Sequence, residues 1–157
     1  MNIKRISTLG LAGAGAAVAV TLGFAGAANA VNIYGTGGPD YLYGSDYSDV
    51  IYSHHGADTV YGYGGADEIH GEGERDSIFA GYGDDYVHGG AGYDYIEPDE
   101  GYDTVVAARG NDTVYVWNDG EADYIYCGPG YDTVEYDSYS GWDSNDTFYG
   151  CENYVAY

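Results

Sequence analysis

The chain has 157 residues with twenty-six acidic side chains against four basic ones, and its net charge is −22 at pH 7. Such an excess of negative charge repels nucleic acid and anionic lipid, which excludes them as partners. Much glycine with a high acidic charge ordinarily reads as disorder, so any fold here needs its charge neutralised.

Residues 1–30 read as a secretory signal peptide: Lys4 and Arg5 start it, Leu9 to Phe24 is apolar, and Ala28-Asn29-Ala30 ends it. The apolar core is short for a membrane span, and the A-x-A ending favours cleavage after Ala30. The mature chain would be residues 31–157, one domain in length. It would hold all twenty-six acidic residues and two of the four basic ones, a charge of −24. No later stretch is apolar enough to insert in a membrane.

From Asp40 an aspartate recurs every nine residues through Asp49, Asp58, Asp67, Asp76, Asp85, Asp94, Asp103 and Asp112. Two residues after each stands an aliphatic: Leu42, Ile51, Val60, Ile69, Ile78, Val87, Ile96, Val105 and Val114. After the extra pair Val116-Trp117, further units carry Asp123 with Ile125 and Asp132 with Val134. A degenerate twelfth unit, 141–149, keeps Asp146 and Phe148. A short fixed period of this kind marks a solenoid. In each three-residue strand the central aliphatic faces inward and its neighbours face outward. Two units close one coil of eighteen residues, so twelve units predict about six coils, roughly 29 Å long at ~4.8 Å per strand.

The better units, such as Gly-Gly-Ala-Gly-Tyr-Asp-Tyr-Ile-Glu at 89–97, fit G-G-x-G-x-D-x-U-x throughout. On that motif the chain resembles the hemolysin-type calcium-binding repeat (RTX nonapeptide repeat) family. The resemblance spans Gly35 to about Glu135 and implies an all-β parallel β-roll, a right-handed solenoid with two short-strand sheets. It also implies multiple Ca²⁺ ions lying between stacked turns, Asp40 sharing an ion with the Asp58 turn and Asp49 with the Asp67 turn. The residue chemistry agrees, since carboxylate and backbone carbonyl oxygens without sulfur suit Ca²⁺ better than Mg²⁺. The candidate ligands are Asp40, Asp49, Asp58, Asp67, Asp76, Asp85, Asp94, Asp103, Asp112, Asp123 and Asp132. Ion binding would then supply folding free energy, leaving the metal-free chain largely unfolded.

The turns are uneven. A glycine stands two residues before most of these aspartates, but Tyr47, Glu74, Glu121 and Ser144 replace it elsewhere. A non-glycine residue held at positive φ costs about 1 kcal/mol, so these turns are expected to be distorted. The cysteines, Cys127 and Cys151, suggest one disulfide in an exported chain; a two-cysteine metal site lacks an adjacent histidine. Residues 31–135 thus read as the roll and 136–157, with Trp142, as a disulfide-clamped cap over its last coil. Family members exported in one step carry an uncleaved C-terminal signal, and the N-terminal leader here departs from that pattern.

Little points to catalysis. Ser53, His55 and Asp58 have the residue types of a hydrolytic triad but crowd one turn, with no separate buried acid or oxyanion hole. Glu97, Asp99, Glu100 and Asp103 read more simply as a solvated turn than as a glycosidase pair. His70 and His88, eighteen apart, are expected as stacked neighbours on one outer face. Tyr43, Tyr61 and Phe79 are expected to stack as an exposed ladder, with Tyr41 and Tyr95 on the same sheet. Cross-strand packing accounts for such a ladder, and so does a contact surface for glycan or cell-surface partners. The sequence therefore reads as a secreted, extracellular, bacterial calcium-binding repeat protein and not an enzyme.

Overall fold

The computed structural model describes residues 19–20, 30–138 and 143–157, and over these it is a parallel β-solenoid without helices. Apart from Ala19–Val20 and Ala30, the leader lies outside the described residues, as does Trp142. One sheet stacks Ala19–Val20, Tyr41–Ser45, Thr59–Gly64, Ser77–Tyr82, Tyr95–Glu100, Thr113–Val116, Thr133–Tyr136 and Asn153–Ala156. The other stacks Asn32–Tyr34, Val50–Tyr52, Glu68–His70, Tyr86–Gly92, Thr104–Gly110, Tyr124–Tyr126 and Thr147–Tyr149.

The eighteen-residue coil is visible in the register, where Leu42 pairs with Val60 and Val60 with Ile78. It widens to twenty after the extra pair, with Val105 opposite Ile125 and Val114 opposite Val134. Val116, the first residue of that insertion, turns inward and is fully buried, while Trp117 stays outside against Tyr115 at 5.2 Å. The coils number about seven rather than six. Asn32–Tyr34 adds a half-coil in front with Ile33 in the core, and Asn153–Ala156 adds one behind.

The predicted aliphatic column, Leu42 through Val134, is buried along its whole length and forms the core with Ile33. Fully burying a side chain of this size stabilises by about 1.5–3 kcal/mol, and each also packs on the coils above and below. A second inner column comes from the first residue of each unit, most often glycine or another small residue. A methyl group built on Gly62 would lie 2.3 Å from the Ala80 carbonyl oxygen one coil on. At Gly62 a side chain would therefore push the coils apart.

Cys127 is buried in the core and bonds Cys151, closing a 24-residue loop. Replacing both by alanine is expected to lower stability by about 3.4 kcal/mol, the loop-closure entropy released to the unfolded chain. A guanidine titration of both proteins in excess calcium measures this; overlapping midpoints would mean the bridge constrains nothing.

Candidate metal centre

Every second turn falls on the same edge of the roll, so the aspartates form two ladders. One runs through Asp40, Asp58, Asp76, Asp94, Asp112 and Asp132; the other through Asp49, Asp67, Asp85, Asp103, Asp123 and Asp146. All eleven predicted aspartates are nearly inaccessible, none more than 3% exposed. Each rung is built alike: a backbone N–H donates to the carboxylate one coil on. Asp58 N–H donates to Asp76 Oδ1 at 2.9 Å, Asp67 to Asp85 at 2.7 Å, and Asp85 to Asp103 at 2.8 Å. The Asp40-to-Asp58 and Asp49-to-Asp67 pairs that the family resemblance implied are rungs of the same kind.

The ladders extend past the predicted set. Asp123 N–H donates to Asp146 Oδ1 at 3.0 Å, and Asp132 N–H to Glu152 at 3.0 Å. Glu152 takes an aspartate's place in the last coil, two residues before Tyr154, as the ladder aspartates precede their aliphatics. At the other end Val31 stands nine residues before Asp40 and donates its N–H to Asp49 Oδ1 at 2.7 Å.

One oxygen per carboxylate is thereby used. The second oxygen of Asp58, Asp67, Asp76, Asp85, Asp94, Asp103, Asp112, Asp132 and Asp146 is buried without a hydrogen-bond donor, as is Asp40 Oδ1. Asp49 differs, because Ser45 donates both its N–H, at 2.7 Å, and its hydroxyl, at 2.9 Å, to Oδ2. A buried carboxylate oxygen without a donor is expensive and calls for a cation. Its surroundings are oxygen-rich. A methyl group on Gly71 would lie 2.7 Å from Asp76 Oδ2 and 2.3 Å from the Gly89 carbonyl oxygen. One on Gly110 would lie 2.5 Å from Asp112 Oδ1 and 1.9 Å from the Gly92 carbonyl oxygen. The glycines leave open the space where carboxylate and carbonyl oxygens converge.

Burial dominates the electrostatics. It pushes Asp76 and Asp103 up to about 8, Asp67, Asp85, Asp112 and Asp123 to about 7, and Asp58, Asp94 and Asp146 to about 6. For Asp67, Asp76, Asp103 and Asp112 the carboxylates one coil above and below add repulsion, while the N–H bond partly offsets both. No three acidic, histidine or cysteine side chains converge on one point among the described residues. The further oxygens beside the ladder carboxylates are the backbone carbonyls of neighbouring turns.

Turn quality departs from expectation in an instructive way. Of the four replaced glycines only Glu74 is held at positive φ, +70°, and its carboxylate accepts the Gly56 N–H at 2.8 Å. Tyr47 and Glu121 avoid the left-handed region, so their turns relax instead of straining. The second turn residue also takes positive φ, and non-glycine residues sit there in His54, Tyr63, Glu72, Asp99 and Ala108.

On the outer faces Tyr43, Tyr61 and Phe79 stack at 5.4 and 5.0 Å, as predicted, but their rings cover one another and are half-buried. Tyr95 continues the column tilted on Phe79 at 6.1 Å. Tyr34, Tyr52 and His70 stack on the opposite sheet, and His88 follows at 6.1 Å, tilted. His70 pairs with Glu68 at 2.8 Å, and His54 with Glu72 at 3.1 Å.

Compared with known families, residues 34–69, 61–96 and 99–134 match the family model described as RTX calcium-binding nonapeptide repeat (4 copies). No curated protein matches the chain.

Proposed function

Because the chain belongs to the RTX calcium-binding nonapeptide repeat family, we propose that it is an exported, non-enzymatic calcium receptor whose roll forms as the ions bind. The observation that carries this reading is the set of ten ladder carboxylates with a buried oxygen lacking any donor, amid backbone carbonyls of neighbouring turns. The ligand residues are Asp40, Asp49, Asp58, Asp67, Asp76, Asp85, Asp94, Asp103, Asp112, Asp123 and Asp132, with Asp146 added. Bound calcium would supply positive charge between coils. The chain's own part is to hold each carboxylate at a fixed rung, keep water from it, and present carbonyls through glycine turns. Residues 1–30 act as the export signal, 31–135 as the calcium module and 136–157 as its cap. Export delivers the chain to surroundings rich in calcium, where folding follows.

Calorimetric titration of the metal-free protein tests the reading. Several Ca²⁺ ions per chain and much weaker uptake of Mg²⁺ are expected, as the larger ion accepts irregular oxygen cages. Uptake of one ion or none would refute it.

A second reading, adhesion to glycan or cell surface with calcium as scaffold, draws on the aromatic surface. Tyr82, Tyr93, Tyr102 and Tyr131 are each more than half exposed on or beside the turns, outside the stacked ladders.

A further inference from the structure

The two basic residues of the repeat region, Arg75 and Arg109, line one shallow, open cavity on the edge that carries Asp76, Asp94 and Asp112. Nothing in the nine-residue period requires this. Arg75 is the fifth residue of its turn, Arg109 the third of a turn two coils on, and the turn between them contributes Tyr93. Arg109 pairs in register with Ala91, and Ala91 with Gly73, so three successive turns of one edge meet here. Backbone of Gly92 and Gly110 forms part of the wall, and the Tyr93 ring is 63% exposed. Both arginines are exposed, and neither side chain makes an ion pair or hydrogen bond among the described residues. The one carboxylate in the lining, Glu74, is directed elsewhere, to the Gly56 N–H at 2.8 Å and His55 at 3.8 Å.

We infer that this cavity binds a carboxylated sugar residue of an acidic polysaccharide, its ring on Tyr93 and its carboxylate between Arg75 and Arg109. Arginine's planar fork matches a carboxylate in two parallel hydrogen bonds, and a tyrosine face offers a flat, amphipathic platform to a sugar ring. A polyanion would be repelled by residues 31–157, whose net charge is −24, so the site works only once calcium has neutralised the ladders beneath it. The inference thus names a ligand class for the adhesion reading and rests on the calcium-loaded roll.

The test uses the purified protein in millimolar calcium, titrated by calorimetry with a hyaluronan tetrasaccharide. Binding is expected, with none of uncharged chitotetraose. Arg75→Ala and Arg109→Ala are each expected to weaken binding about ten-fold or more, the loss of one charge-assisted contact. Tyr93→Ala weakens it as well, and Arg109→Lys only partly restores what Arg109→Ala loses. Calcium titrations and far-ultraviolet spectra of these variants should match the parent, because the substituted side chains are exposed. A parent that takes up calcium yet ignores the tetrasaccharide overturns the inference and leaves the calcium reading standing. Undiminished binding by the Arg75→Ala/Arg109→Ala double variant overturns it too, as does equal binding of a sulfated carrageenan tetrasaccharide. A parent that takes up no calcium sinks both readings.

Discussion

Chelating calcium at pH 7.5 is expected to unfold residues 31–157, with loss of the far-ultraviolet β signal, and millimolar calcium to restore it. Twenty-four net negative charges lie on this segment, and ten ladder carboxylates keep an oxygen buried without a donor. Without cations each rung sets one carboxylate against the next, in an interior that screens poorly. Acid should partly replace the ion. Asp58, Asp67, Asp76, Asp85, Asp94, Asp103, Asp112, Asp123 and Asp146 are raised to about 6–8 in the folded roll, against 3.8 for the free group. The folded state therefore binds more protons than the unfolded one, and stability falls as pH rises. The metal-free roll keeps this contribution in full below about pH 4, loses it progressively as pH climbs, and retains none of it above about pH 8. In chelator, a pH 5 sample is thus expected to keep more of its β signal and thermal stability than a pH 8 sample, which is unfolded at the outset. With calcium bound the order should reverse, since protons then compete with the ion. Melting curves at both pH values, with and without calcium, provide the check. A roll equally stable in all four conditions would show that the ladders hold no ions.

Much of this architecture is legible in the sequence because one residue type performs both tasks. The same Asp that marks the period supplies the carboxylate, and the aliphatic two places on fills the core, so the coil and both ladders follow from counting. What escaped counting has physical causes. Ile33 lies nine residues before Leu42, but its unit has Val31 in the aspartate place, so alignment on aspartate passes over it. Glu152 escapes because one extra methylene still reaches the Asp132 N–H at 3.0 Å. The distortion expected at Tyr47 and Glu121 takes the form of a backbone that leaves the left-handed region, a local adjustment whose shape no spacing rule anticipates. Asp49 keeps the nine-residue register, yet Ser45 donates twice to its outer oxygen, a local contact invisible to the period. The Arg75–Arg109 pair is 34 residues apart, a separation that is no multiple of nine, and meets only when the third and fifth turn residues of different coils converge on one edge.

Asp76→Asn separates a calcium ligand from a turn-capping aspartate, because the two roles predict opposite signs. Asp76 is fully buried; Oδ1 accepts the Asp58 N–H at 2.9 Å, and Oδ2 has no donor. Asparagine keeps an oxygen for that N–H and presents an uncharged amide where Oδ2 stood. In chelator the change removes a carboxylate that burial, together with Asp94, Asp58 and Glu74, disfavours. The metal-free variant should therefore be more stable than the parent at pH 7.5, with the gap closing toward pH 4 as Asp76 takes up its proton. In calcium the change removes an anionic ligand from the middle of a ladder. The calcium concentration at the folding midpoint should then rise about ten-fold, equivalent to roughly 1.4 kcal/mol. Were Asp76 only a cap, asparagine would serve nearly as well at every calcium concentration, since both residues accept turn N–H groups. Calcium-dependent folding curves of parent and variant at pH 7.5 should thus cross, the variant ahead at no calcium and behind once the parent is saturated. Curves that stay parallel would assign Asp76 to the turn alone.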